Sequence, residues 1–207
     1  MARPAPEIRI MENENQNAKH LKGVLKMENQ EKRNIAVESK KGLGAKEIIL
    51  IAVLLAAGAV LKFFVGSIVN IGGMKPNFII AMYCLAILLV RPKVYESLII
   101  GVLAGAVCQL FPGTPYLNFV SEILGALAMG LLIHVPMQVK KFSLQPIVAT
   151  FISTVISGAT YTILLFVVTH AEKSAMAAYV PIVLFTAIFN SIIVQVLYLP
   201  LKKVLKK

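Results

Sequence analysis

Residues 47–69, EIILIAVLLAAGAVLKFFVGSIV, form the first long apolar run of the chain. Apart from Glu47 at the start and Lys62 near the far end, every residue of the run is apolar or small. A helix that crosses the hydrocarbon core of a bilayer needs about 20 mostly apolar residues. The run therefore predicts a membrane-spanning helix.

The whole chain of 207 residues shares this apolar character. Hydrophobic residues make up 57% of it, the mean hydropathy is +0.77, and only 15% of residues are charged. Soluble domains are about half apolar and about a quarter charged. The composition therefore predicts an integral membrane protein.

Five more apolar runs follow the first, and together they predict an all-α bundle of six transmembrane helices. The second run is short for a span, and the sixth contains Pro181 and Pro200. Because proline disrupts a helix interior, we expect these two residues near the start and near the end of the sixth helix. The predicted spans are 47–69, 76–90, 94–110, 117–135, 146–169 and 175–204.

The N-terminal residues differ from the rest of the chain. Residues 1–45 are rich in Lys, Glu, Asn and Gln and have no sustained apolar period. We interpret them as a polar cytoplasmic tail, disordered or loosely helical, and residues 46–207 as the transmembrane domain. Met11 and Met27 each offer an alternative start, so the composition leaves open how much of the tail is native.

The cations of this chain, whose formal net charge is +11, are distributed unevenly. Residues 1–47 hold ten Lys/Arg, and others cluster at 91–93, at Lys140 and Lys141, and in the C-terminal LKKVLKK. Cytoplasmic loops of membrane proteins carry an excess of Lys and Arg. Six spans place all these groups on one side, which predicts that both termini are cytoplasmic. No nucleic-acid partner is expected, because that would need a basic face exposed to water.

The cysteines and histidines do not form a recognisable site. Cys84 and Cys108 lie inside apolar runs and are expected to pack as small hydrophobic side chains. His20, His134 and His170 are far apart and lack Cys or acidic neighbours at ligand spacing. The sequence therefore predicts neither a metal site nor a cofactor.

Motifs of known enzymes are missing as well. The sequence has no phosphate-binding G-x-x-x-x-G-K-[ST] loop, so the chain is not expected to hydrolyse ATP itself. Ser157, followed by glycine, leaves one weak alternative, an intramembrane serine enzyme that uses His134 or His170. The expectation is a protein without enzymatic activity.

The connection between the first two spans, GGMKPNF at 72–78, carries more polar groups than a simple turn needs. The two glycines allow a tight turn or a close approach, and Pro76 suits the first turn of the second helix. Lys75 then lies at the mouth of that helix. It is either an interfacial lysine in an ordinary turn or the partner of an anion in a binding site.

A second polar segment, CQLFPGTPYLNFVSE at 108–122, joins the third and fourth spans. Its prolines and glycine predict a stiff loop, and Asn118 and Glu122, four residues apart, share one helix face. An ionisable group inside a span marks a pathway or a bound partner by default. The alternative for Glu122 is an ion pair with Lys75 or Lys62. Lys62 either extends toward the interface or faces the same cavity.

These polar groups converge at the outer end of the predicted bundle. A lysine there suits a carboxylate, a glutamate suits an ammonium group, and aromatic and Met side chains suit a ring. The mix predicts a site for a small amphipathic zwitterion. The candidate binding residues are Lys75, Asn77, Asn118, Glu122, Gln109, Tyr116 and Met74.

Small residues recur at four-residue spacing in two helices. Ala52 and Ala56 lie in the first span, and Gly101 and Gly105 lie in the third. Small residues at this spacing let helices approach closely. Each pair either packs within the chain or forms a docking face for another membrane subunit.

The segments GGMKPNFIIAMYCLAILLV and FPGTPYLNFVSE resemble the tryptophan-transporter family within the substrate-binding (S) subunits of energy-coupling factor transporters. Members of that family carry a similar G-M-K-P-D segment at the start of helix 2 and an F-P-G…P-N segment before helix 4. The resemblance covers about residues 46–135. The present chain has Asn77 at the acidic position of the motif, and GTPYLN in the outer loop.

The resemblance implies an outward-open pocket of six helices in the plasma membrane of a prokaryote. It implies that this pocket captures tryptophan or a related small molecule, and that a membrane scaffold subunit and two ATPases drive its release inside. By position, Ala52 and Ala56 match the scaffold-contact pair, Lys75 the motif lysine, and Asn118 the asparagine before helix 4. Two alternatives are a stand-alone secondary transporter of a small amphipathic solute and an S subunit for a vitamin.

Overall fold

The computed structural model describes residues 20–28, 42–68, 76–114, 116–139, 142–170 and 176–205. The chain divides into two compact units, Met1–Leu43 and Gly44–Lys207. In the first unit, residues 20–28 form a helix, and most of the predicted tail lies outside the described residues.

In the residues that the structure describes, the second unit has six helices and one small hairpin. The two strands of the hairpin hold two residues each and are antiparallel, with Gln138 opposite Ser143. In chain order the elements are α1 (Ala45–Ile68), α2 (Phe78–Val90), α3 (Val94–Cys108), α4 (Leu117–Leu132), β1 (Gln138–Val139), β2 (Phe142–Ser143), α5 (Gln145–Thr169) and α6 (Tyr179–Leu205). The predicted helices are thus confirmed, whereas the hairpin was not predicted from the sequence.

Three of the six helices, α1, α5 and α6, are long and apolar enough to cross a membrane. The other three are apolar but shorter, with 13 residues in α2, 15 in α3 and 16 in α4. At 1.5 Å per residue, α2 covers roughly 20 Å of a hydrocarbon core about 30 Å thick. The apolar helices agree with a membrane protein. Only three of the six predicted spans, however, are helices long enough to cross a membrane.

Helix α2 forms the centre of the bundle. Every residue from Phe78 to Leu88 is buried, and α2 contacts each of the other five helices. A helix that is apolar on all sides belongs in the interior of a bundle. Its sequence, FIIAMYCLAILLV, has no polar face to turn toward water or toward a partner.

Helices α3 and α4 approach each other closely at two glycines of α3. A Cβ atom built on Gly101 would lie 2.8 Å from the Cα atom of Ile123, and one on Gly105 would lie 2.9 Å from the Cα atom of Phe119. Real Cβ atoms essentially never come so near to backbone atoms. Of the two interpretations of this pair, the structure therefore supports packing within the chain.

Polar contacts tie together the end of the bundle that holds the α2–α3 connection. Arg91 ends α2 in the left-handed conformation, with φ 52°, and its Nη2 donates to Gln145 Oε1 at 3.0 Å. Gln145 Nε2 in turn donates to the carbonyl oxygens of Ile133 at 2.8 Å and Val135 at 3.0 Å. These bonds satisfy carbonyls that follow the end of α4. This end, defined by Arg91 and Gln145, is called the basic end below.

Candidate functional site

A cavity of about 400 Å³ lies at the opposite end of the bundle from Arg91 and Gln145. All six helices, together with the α3–α4 connection, contribute to its wall. The lining residues are Lys62, Phe63, Asn77, Ile80, Cys108, Phe111, Pro112, Gly113, Asn118, Thr154, Ser157, Gly158, Tyr161, Val183 and Thr186. A volume of this size is typical of pockets that hold small organic ligands.

Glu122 lies directly behind the cavity wall and is only 1% exposed. Its Oε1 accepts a hydrogen bond from Asn77 Nδ2 at 2.5 Å, and its Oε2 accepts one from Ser157 Oγ at 3.2 Å. Cys108 Sγ lies 3.8 Å from Oε1. An isolated charge in an apolar interior is costly, and hydrogen-bond donors reduce that cost. The three donors are cavity-lining residues, so a single layer of side chains separates the Glu122 carboxylate from the cavity.

Asn77 connects α2, α4 and α6 through its side-chain amide and its backbone carbonyl. Its Oδ1 accepts from the backbone N–H of Ile79 at 3.3 Å and thereby caps α2, while its Nδ2 donates to Glu122. Its backbone carbonyl accepts from Asn190 Nδ2 on α6 at 3.2 Å. Because one side of the amide must accept and the other must donate, asparagine suits this position better than an ionised aspartate.

Lys62 directs its ammonium group toward the cavity. The side chain is half-buried, with Nζ 3.5 Å from Cys108 Sγ and 5.0 Å from the centre of the Phe111 ring. Of the two alternatives for Lys62, the structure thus favours the one that faces the cavity. In the described part of the chain, no carboxylate oxygen lies within 4 Å of this ammonium, so the contact ion pair with Glu122 is not formed.

Helices α5 and α6 supply a part of the cavity wall that was not predicted from the sequence. Thr154, Ser157 and Tyr161 from α5 line the cavity, as do Val183 and Thr186 from α6. A sequence signal for the α5 residues exists. Hydroxyl side chains recur at 150, 153, 154, 157 and 161, which places them on one face of an otherwise apolar helix.

The remaining predicted site residues have different positions. Asn118 lines the cavity, whereas Lys75 and Met74 lie outside the described residues. Gln109 and Tyr116 are not among the lining residues. Tyr116 is 74% exposed, and its backbone N–H donates to Gln109 Oε1 at 3.4 Å. Their contact with a ligand stays a prediction.

The weak enzymatic alternative finds no support in the described geometry. The Ser157 hydroxyl donates to Glu122 and has no described histidine as a neighbour. His134 is exposed beyond the C-terminal end of α4, with Nδ1 2.9 Å from the Gly130 carbonyl. His170 is exposed at the end of α5, and its φ is 51°. Both histidines thus lie at helix ends.

Helix α1 presents an exposed apolar face that contains Ala52 and Ala56. The larger side chains around the two alanines are also exposed, Ile49 by 62%, Val53 by 59% and Val60 by 54%. The alanine pair therefore does not pack against another helix in the described part of the chain. We call this surface, defined by Ile49, Ala52, Val53, Ala56 and Val60, the α1 face.

Comparisons with known proteins agree with the resemblance seen in the sequence. A family model described as "Tryptophan transporter TrpP" matches residues 44–206. A probable tryptophan transport protein of Clostridium acetobutylicum is 26% identical over 164 residues, which cover 78% of this chain and 94% of the relative. A probable tryptophan transport protein of Bacillus subtilis (strain 168) is 26% identical over 165 residues, with the same coverage. No solved structure matches. Since the family match spans the whole helical unit, this chain belongs to the tryptophan transporter TrpP family.

Proposed function

We propose that this chain is the substrate-binding membrane subunit of an ATP-driven importer, and that it captures tryptophan or a closely related molecule. Membership of the tryptophan transporter family supports the substrate class. The observation that carries the proposal is the cavity of about 400 Å³ with Lys62 in its wall and buried Glu122 directly behind it. A charged pocket of this kind inside an apolar bundle suits a small zwitterion with an apolar ring.

The proposed binding residues come from both described and undescribed parts of the chain. Asn77, Asn118 and Glu122 are supported by their positions at or directly behind the cavity wall. Lys75 and Met74 belong to the connection before α2, and Gln109 and Tyr116 to the connection before α4. We propose that these four residues complete the site when ligand is bound.

The proposed orientation follows from the positive-inside rule. Six crossings put the basic end and the C-terminal lysines in the cytoplasm of a prokaryotic cell, with residues 1–45 as a cytoplasmic tail. The cavity then faces outward. Helix α2 is short and buried from Phe78 to Leu88, so we propose that it crosses the interior of the bundle and not a full thickness of lipid.

An impermeant maleimide tests this orientation in intact cells. Both native cysteines are buried, so single cysteines introduced at Thr114 and at Lys93 report on the two ends. Labelling of T114C without labelling of K93C is expected. The reverse pattern would place the cavity on the cytoplasmic side and contradict an import function.

Transport is proposed to need partners. The sequence has no ATP-binding loop of its own, and the α1 face offers small residues at the spacing that favours close helix contact. We propose that a membrane scaffold subunit docks there and that two ATPases drive release. The test is co-purification after co-expression, followed by uptake of labelled tryptophan into liposomes. Uptake by this chain alone would identify a secondary transporter instead.

A further inference from the structure

The Lys62 ammonium is the structural feature that the family assignment leaves unexplained. It lies within an apolar span, and in the described residues no carboxylate approaches it within 4 Å. Its recorded neighbours are the buried thiol of Cys108 and the ring of Phe111. A charge placed in this way is expensive unless an opposite charge joins it. Lys62 is one of the residues that line the cavity.

A negative group lies close by. Cys108 Sγ is 3.5 Å from Lys62 Nζ and 3.8 Å from Glu122 Oε1, so the two charged groups flank one sulfur atom. Lys62 is at the cavity surface, whereas Glu122 lies behind Asn77 and Ser157. The cavity therefore has a positive side on α1 and a negative side between α2, α4 and α5.

From this arrangement we infer that Lys62 binds the carboxylate of a free α-amino acid, whose ammonium group points toward Glu122. Each charged group of the ligand then meets a protein group of opposite charge. These charge-assisted contacts replace the hydrogen bonds to water that the ligand loses when it enters the cavity. The side chain of the ligand extends toward Tyr161, Val183 and Thr186, where the wall is aromatic, aliphatic and hydroxyl-bearing. This inference rests on the proposed function only for its first probe, tryptophan.

The experiment compares three indole ligands that differ in which charged groups they carry. L-Tryptophan carries both groups, tryptamine lacks the carboxylate, and indole-3-propionate lacks the ammonium. Binding to the full-length chain in detergent is measured by titration calorimetry, for the wild type and for K62M, K62R and E122Q. A charged hydrogen bond of the usual strength makes each matched loss about tenfold or more.

Lys62→Met is expected to lower the affinity for tryptophan at least about tenfold and to leave the affinity for tryptamine unchanged. Lys62→Arg should restore most of the tryptophan affinity, because a guanidinium group also pairs with a carboxylate. Glu122→Gln should lower the affinity for tryptophan and for tryptamine and leave the affinity for indole-3-propionate unchanged. Retained tryptamine binding also shows that the K62M variant is folded. Lys46→Met is the matched control, since Lys46 is an exposed lysine at the other end of α1.

Two kinds of failure are separable. In the first, tryptophan binds, but K62M lowers the affinities for tryptophan and tryptamine equally or changes neither affinity. The role of Lys62 is then refuted and the proposed function stands. If tryptophan does not bind, a panel of the other free amino acids is titrated. A different amino acid that shows the same dependence on Lys62 overturns the tryptophan assignment and supports the inference. Absence of binding by every amino acid overturns both.

Discussion

The pair Gly101 and Gly105 on α3 and the pair Ala52 and Ala56 on α1 have the same spacing but opposite surroundings. The glycines are buried against the backbone of α4, whereas the alanines are exposed on the α1 face. The spacing predicts that a helix approaches closely, but it does not say whether that helix belongs to the same chain. The structure assigns the glycine pair to packing within the chain, while a partner at the alanine pair stays a proposal.

Glycine, which has no Cβ atom, occurs at the internal helix contacts, whereas the exposed pair on α1 consists of alanines. Gly58 lies on the same helix as the alanines but faces α2, and a Cβ atom there would be 3.0 Å from the Cα atom of Ile79. Internal contacts in this bundle thus use glycine where backbones nearly touch. The contact also matters for the site, because a Cβ atom on Gly101 would lie 2.9 Å from the carbonyl oxygen of Glu122.

The largest effect is expected for Gly101→Leu. The side chain would meet the backbone of α4, which cannot move aside as a flexible side chain can, so the two helices must separate. Overpacking of a well-packed core costs about 1–3 kcal/mol and occasionally more, and we expect at least the upper end here. Thermal unfolding in detergent and the yield of monodisperse protein measure it. An unchanged unfolding temperature would show that the α3–α4 contact is less tight than described.

Gly58→Leu should come next and provides a matched test within α1. A Cβ atom there would lie 3.0 Å from both the Ile79 Cα atom and Met82 Cγ, which is less tight than at Gly101, and the methionine side chain can adapt. We therefore expect a loss of about 1–3 kcal/mol. Ala56→Leu, two residues earlier on the exposed face, is the control. Equal destabilisation by the two substitutions would abolish the distinction between the inner and outer sides of α1.

Asn77→Ala tests whether packing of α3 on α4 is enough to hold Glu122. The substitution removes a helix cap, worth about 1 kcal/mol, and a hydrogen bond to a charged group, worth about 1.5–3 kcal/mol. A smaller net loss of stability, about 1–2 kcal/mol, is expected because the carboxylate keeps Ser157 as a donor.

Asn77→Asp is the matched variant, since aspartate also caps a helix. A second carboxylate would face Glu122, so we expect tryptophan binding to weaken and stability to fall at neutral pH. If this variant behaves as the wild type does, the Asn77 amide is not what fixes Glu122.

The smallest effect on stability is expected for the double variant A52L/A56L. Surface substitutions usually change the free energy of unfolding by less than about 0.5 kcal/mol, and both alanines are exposed. Tryptophan affinity should also be unchanged, while co-purification with the scaffold and ATPases should be lost. Destabilisation comparable to that of Gly58→Leu would mean that the pair serves the fold and not a partner.

The sequence predicted the six helices because apolar runs separated by Gly, Pro and charged segments are a strong local signal. It also singled out Asn77, Asn118 and Glu122, since polar groups in apolar surroundings are conspicuous. The position of Lys62 could not be decided, because a lysine two-thirds along a span has two directions available and the choice depends on α3. Among the α5 hydroxyls, Ser157 was considered only as a nucleophile, and the others were missed because only the face that they share connects them to the cavity.

The central claim is that the cavity beside Lys62 and Glu122 holds tryptophan. The chain contains six Tyr but no Trp, so excitation at a wavelength that tyrosine does not absorb reports the indole of added L-tryptophan alone. Titration of tryptophan with the purified chain should give a saturable shift of indole emission to shorter wavelength, weakened at least about tenfold in E122Q. Emission that does not saturate, or that is the same with the wild type and E122Q, would contradict the account.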